Sequence, residues 1–165
     1  MKKLTRITGL IGIAACAALA GSALAAPASK TVPFKATYAG KATEKVSGQN
    51  VTALAKGAGT ASVLGKSTIT GTVKGTTANP PCSPFGGPGT IKSGKGTLRV
   101  TVLNSSQGCA ASAEDQDNIA LRGWVQVKGG TGKFAKAKGK IHFTGHYNRS
   151  GGAFTVKLGP GTLTY

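Results

Sequence analysis

Acidic side chains are nearly absent: the 165 residues hold 4 Asp and Glu against 21 Lys and Arg. Histidine is limited to His142 and His146, and no serine sits in a Gly-x-Ser-x-Gly elbow, so a Ser–His–acid triad lacks its usual local signature. Beyond residue 26 no run is apolar for long enough to span a bilayer, which excludes a transmembrane helix from the rest of the chain. Strong helix signals are missing as well. Cysteine occurs three times, at Cys16, Cys82 and Cys109, and tryptophan once, at Trp124.

The beginning of the chain is unlike the remainder. Lys2, Lys3 and Arg6 precede the apolar run Ile7 to Ala20, and Ala23-Leu24-Ala25 has the small residues a signal peptidase needs. Residues 1–25 read as a bacterial-type signal peptide, with the mature chain starting at Ala26 or Pro27. A second reading makes Ile13-Ala14-Ala15-Cys16 a lipoprotein site with Cys16 lipidated. The apolar stretch from Ala17 to Ala26, where a lipoprotein usually turns polar, weighs against it. Either way the protein is expected outside the cytoplasm. Cleavage leaves residues 26–165 as one domain.

Cys82 and Cys109 then remain as a pair in an oxidising compartment, where a disulfide is expected. Closing that loop stabilises a fold by about 3.5 kcal/mol on the chain-entropy argument. Loss of Lys2, Lys3 and Arg6 from the 21 cations, with all 4 acids kept, leaves a formal net charge of +14. Such a field favours anionic partners, with binding that weakens as salt rises; lysines that alternate along strands also serve as a plain solvated face. No specific nucleic-acid motif is present. Asn50, Asn104 and Asn148 match the N-glycosylation pattern, which the bacterial look of the leader leaves idle.

What the chain does have is alternation with period two, punctuated by glycine. Phe34, Ala36 and Tyr38 oppose Lys35 and Thr37; Ile69, Gly71 and Val73 oppose Thr68, Thr70, Thr72 and Lys74; Leu98, Val100 and Val102 oppose Thr97, Arg99 and Thr101. Ile141, Phe143, Gly145 and Tyr147 oppose His142, Thr144 and His146, and Phe154, Val156 and Leu158 oppose Thr155 and Lys157. One apolar and one polar face, strand after strand, predict an all-β fold: an antiparallel sheet that closes or stacks to bury its inner face. The proline-rich stretch Thr77 to Gly89 is expected to exclude a central strand. With Ser105 to Asn118 it is expected to form two loops, pinned together by the disulfide at one end of the barrel.

The segment Gly129-Gly-Thr-Gly-Lys-Phe-Ala-Lys-Ala-Lys-Gly139 invites comparison with a phosphate-binding loop. That loop needs glycine where Val127 stands, Ser or Thr where Phe134 stands, and a following helix rather than an alternating strand. A glycine turn with positive φ, joining the strand Leu121 to Lys128 to the strand Ile141 to Tyr147, accounts for it better. Through Gly129, Gly130, Gly132, Phe134 and Gly139 the segment resembles the Gly-Gly-Thr-Gly-x-Phe-x-x-Ala-x-Gly signature of dirigent proteins and, more loosely, allene oxide cyclases. Secreted bacterial proteins of the same barrel-like group carry it too. Gly59 to Thr68 and Gly161 to Tyr165 resemble the neighbouring pieces in the bacterial group. The resemblance implies a small antiparallel β-barrel of eight strands with an apolar cavity, dimeric or trimeric in the plant relatives. It does not carry over their chemistry, because their acidic, tyrosine and arginine positions have no residue-by-residue match here.

The remaining candidates are few. His142 and His146 on one strand face lie about 13 Å apart, too far to ligate one ion. Glu114, Asp115 and Asp117, beside Asn118, supply hard oxygen ligands for calcium, although the spacing is not that of an EF-hand and an exposed acidic loop explains them more simply. Trp124 shares a face with Arg122, Gln126 and Lys128. It is an outside interface or stacking residue, an inside one if that face lines a wet cavity, or one covered by a loop. Candidate ligand-binding residues are Trp124, Tyr38, Phe143 and Tyr147. No cofactor is expected. The expected function is a non-enzymatic binding module for an apolar small molecule or an anionic envelope component. The alternatives are a barrel enzyme acting on a hydrophobic substrate and a structural protein without a ligand.

Overall fold

A computed structural model describes residues 29–165, with 79 and 113 excepted. The expected signal peptide and Cys16 lie outside the described residues. Among the described residues nine strands form: β1 (Thr31–Pro33), β2 (Ala36–Ser47), β3 (Asn50–Ala61), β4 (Gly65–Thr76), β5 (Cys82–Ser93), β6 (Gly96–Ala110), β7 (Asn118–Gly130), β8 (Lys138–Asn148) and β9 (Ala153–Thr164). From β2 to β9 each pairs antiparallel with the next in the chain, and β9 pairs back onto β2, so eight strands close an all-β barrel. The short β1 lies against the end of β9, Thr31 opposite Thr164.

This meander puts the β3–β4, β5–β6 and β7–β8 connections at one end and the other four at the opposite end. The first end is plugged. Phe34, Tyr38, Ile91, Leu98, Ile141 and Leu163 point inward and are almost fully buried, while Leu64 from one connection and Phe134 from another fold over them. Burying each such side chain contributes about 1.5–3 kcal/mol. The Tyr38 hydroxyl is satisfied inside this core by Ser67 Oγ at 2.9 Å. Sheet closure leaves no long free edge, and the alternation seen in the sequence becomes inside and outside.

The segment of Gly129 to Gly139 forms the plug's hinge. β7 runs on to Gly130, and a single 3-10 turn, Gly132–Phe134, precedes β8. Gly129 (φ 99°) and Gly132 (φ 58°) occupy the left-handed region that favours glycine. The turn tucks Phe134 under the barrel, its ring 5.1 Å from that of Tyr165.

Two expectations need correcting. A central strand does run through the proline-rich stretch, since β5 starts at Cys82 and lies between β4 and β6. It tolerates Pro84 and Pro88 because neither is needed as a donor. The β4 ladder skips from Gly71–Gly89 to Lys74–Gly86, leaving Pro88 out, and it ends at Phe85, before Pro84. The disulfide likewise does not tie two loops: Cys82 and Cys109 are direct partners on β5 and β6, with Cα atoms 4.0 Å apart. Of the second presumed loop, Ser105 to Ala110 belongs to β6. β6 carries extra residues around Leu103–Ser105 relative to both neighbours, a bulge that buries Ser106 and aims its Oγ at the backbone N–H of Trp124, 3.3 Å away.

Candidate binding cavity

Away from the plug the barrel is hollow. β3 contributes Val51, Ala53 and Ala55 to the inside and β2 contributes Ala42, so large side chains are missing where the core would otherwise continue. A cavity of about 630 Å³ results, open at the end opposite the plug. Its remaining wall is chiefly apolar: Val73, Phe85, Ile119 and Leu121 on the strands, with Pro80 and Pro81 at the rim. The Cys82–Cys109 bond fixes β5 to β6 beside that rim. The Ala110 N–H donates to the Pro81 carbonyl at 2.9 Å, joining the end of β6 to the β4–β5 connection.

Charge enters the cavity at one place. Glu44, on the inward face of β2, forms an ion pair with Arg149 in the β8–β9 connection (Oε2 to Nε, 3.2 Å), and its side chain is only 15% exposed. Tyr147, buried on β8, lines the same side. Burial first, and the neighbouring Glu44 carboxylate second, push the Tyr147 phenol above its ordinary value, with Arg149 opposing. At neutral pH it is therefore a hydroxyl, engaged with the Glu44 carboxylate at the edge of the apolar chamber. Glu44, Tyr147 and Arg149 can hold one polar group at the edge of the hollow.

Of the four aromatic candidates, only Tyr147 lines this cavity. Phe143 is buried one ring away, edge-on to Phe85 with centroids 6.2 Å apart. Tyr38 belongs to the plug, and burial raises its phenol despite the opposing Ser67 bond. Trp124 lies outside, 39% exposed, with His142 edge-on at 5.2 Å and Lys140 Nζ 4.7 Å from its ring centroid. His142 and His146 both face outward. The acidic connection is occupied with its own hydrogen bonds: Asp115 accepts from the backbone and side chain of Asn118, and bonding to Ser112 holds the Glu114 carboxyl below its ordinary value. Among the described residues no three His, Cys, Asp or Glu converge as a metal site.

Sequence reasoning missed Glu44 and Arg149. Glu44 was reachable by carrying the alternation of Ala36 and Tyr38 on through Gly40 and Ala42. Arg149 was not, because it lies in a turn and reaches Glu44 only through barrel closure.

The fold and cavity define the chain as a small closed antiparallel β-barrel with one open, apolar chamber. No family model, curated protein or solved structure matches it.

Proposed function

We propose that the protein is an exported binding module that holds an apolar small molecule in the open half of its barrel. The observation that carries this reading is the chamber itself. Its volume of about 630 Å³ falls within the range of about 300–1,000 Å³ usual for small-molecule sites. Its wall is chiefly apolar, and its ionisable side chains, Glu44, Tyr147 and Arg149, gather at one side. Transfer of a ligand's apolar surface from water supplies the driving force, about 25 cal/mol per Å². A polar end on the ligand would meet the Tyr147 hydroxyl and the Arg149 guanidinium. The closed barrel and the Gly129 to Gly139 turn also support a place for the chain in the allene oxide cyclase/dirigent-like group, as the motif resemblance suggested.

Titration with the uncharged dye Nile red tests the reading. Ala53→Phe projects a ring into the chamber and is expected to weaken dye binding at least about tenfold, whereas Trp124→Phe, on the outer wall, leaves it unchanged. Equal binding by wild type and Ala53→Phe would sink the proposal.

A second reading, an enzyme working on a hydrophobic substrate, draws support from the convergence of Glu44, Tyr147 and Arg149. The Arg149 ion pair already engages the carboxylate, which favours holding over proton abstraction. Recovery of bound lipophile chemically unaltered after prolonged incubation supports the carrier; conversion abolished by Glu44→Gln supports the enzyme.

A further inference from the structure

We infer that the plugged end of the barrel is a docking surface for an anionic lipid bilayer, which the protein meets with its cavity mouth turned toward solvent. This rests on how charge is partitioned along the barrel axis and is independent of what the chamber holds. The plugged end is ringed by exposed lysines: Lys35 where β2 begins, Lys66 where β4 begins, Lys92 and Lys95 about the β5–β6 turn, and Lys133 and Lys136 in the β7–β8 connection. No carboxylate side chain shares that end. All 4 acidic residues of the sequence lie at the other: Glu44 in the mouth and Glu114, Asp115 and Asp117 in the β6–β7 connection, where Lys45, Lys74 and Arg149 offset them. The molecule is thus an electrostatic dipole, strongly positive at one end and near balance at the other. Close to a negative surface it turns the lysine end inward.

The arrangement selects a plane over a strand. The lysines stand by β2, β4 and β5 and in the β5–β6 and β7–β8 connections, spread around the end of the closed barrel, whereas a linear polyanion is met by a stripe or groove along one side. Single-stranded nucleic acid also asks for exposed aromatic platforms. At this end the rings of Phe34 and Phe134 are fully buried, the half-buried Tyr165 ring is engaged by Phe134 and Lys133, and Trp124 stands on the side wall, so no row of free rings is offered. A bilayer containing anionic headgroups presents a flat field that all the lysines can share, with each cation near the surface contributing about a fivefold gain in partitioning.

Vesicle binding by the purified protein provides the test. Phosphatidylcholine vesicles that contain phosphatidylglycerol are expected to bind, with affinity falling as salt rises, and pure phosphatidylcholine vesicles are not. The triple variant Lys92→Gln/Lys95→Gln/Lys136→Gln is expected to lose on the order of a hundredfold in partitioning. The charge-matched Lys41→Gln/Lys45→Gln/Lys74→Gln is expected to lose less than about threefold, since those side chains lie toward the far end. In a Trp124→Phe background, a tryptophan placed by Gly94→Trp in the β5–β6 turn is quenched by a lipid-borne quencher, and one placed by Gln49→Trp at the mouth is not. Equal losses in the two triple variants would reduce the effect to net charge and overturn the inference. So would stronger quenching at position 49, or tighter binding of duplex DNA than of vesicles at the same salt.

Discussion

Replacing Gly130 by alanine separates a packing role for the glycine segment from a phosphate-binding one. A Cβ at Gly130 would stand 1.9 Å from the Thr97 carbonyl oxygen and 3.1 Å from Phe134 Cβ. The first of these is backbone and cannot swing aside. That same oxygen accepts the Thr131 N–H at 2.9 Å, the bond that starts the turn into the plug. Relief of the clash therefore moves Thr97 and weakens this bond. Overpacking costs about 1–3 kcal/mol and a lost hydrogen bond about 1 kcal/mol, so Gly130→Ala is expected to destabilise by about 2–4 kcal/mol. For a domain of this size that lowers Tm by about 10 °C. Gly94→Ala is the control: a Cβ there meets nothing within 4 Å, and its effect is expected to stay within about 1 kcal/mol of wild type. Thermal unfolding followed by circular dichroism reads both. If Gly130→Ala unfolds within about 1 °C of wild type, the segment is not held by packing and the reasoning fails.

Removing the disulfide with Cys82→Ser/Cys109→Ser is expected to cost about 3.5 kcal/mol; denaturant melts of wild type with and without reductant check it, and an unchanged midpoint would contradict the bond's contribution. The Tyr38–Ser67 pair predicts an order. Ser67 Oγ donates to the Gly65 carbonyl at 3.2 Å, so the bond between the two hydroxyls is donated by Tyr38. Tyr38→Phe then leaves Ser67 its own acceptor and costs about 1 kcal/mol, while Ser67→Ala strands a buried phenol and costs about 1–3 kcal/mol; urea unfolding showing the reverse order would refute this. Because burial raises the Tyr38 and Tyr147 phenols, the stability they contribute is complete below the unfolded value near pH 10. It is lost as pH rises from there through the native values. Tyr38→Phe is expected to flatten that alkaline decline.

The inner face of most strands was legible from alternation. Phe34, Ala36 and Tyr38, Leu98 and Val100, Ile141, Phe143 and Tyr147, and Phe154 and Leu158 all point inward and are buried. β3 escaped because its inward residues are small while Leu54 faces out, 48% exposed, so the usual contrast between faces is inverted there. β5 escaped because a proline-rich run reads as a strand breaker unless the missing donors coincide with gaps in the ladder, and those gaps depend on strand partners. The hollow has the same origin as the β3 miss: a wall of alanines registers as weak hydrophobicity in a sequence, and as empty space only once seven other strands enclose it. The ion pair at the mouth joins residues brought together by closure of β9 on β2, a contact no local pattern announces.

The alanines on the chamber wall make its capacity adjustable in small steps. Ala42, Ala53, Ala55 and Ala110 each stand on a strand whose backbone is fixed by pairing on both sides. Growth of any one side chain by a methyl or a ring reshapes the space without asking the ladder to move. The large buried side chains sit in the plugged half and the small ones line the open half, so core packing and chamber shape can vary separately. A set of such variants, changed one position at a time, would form a graded series of containers on one frame, each suited to a guest of different bulk.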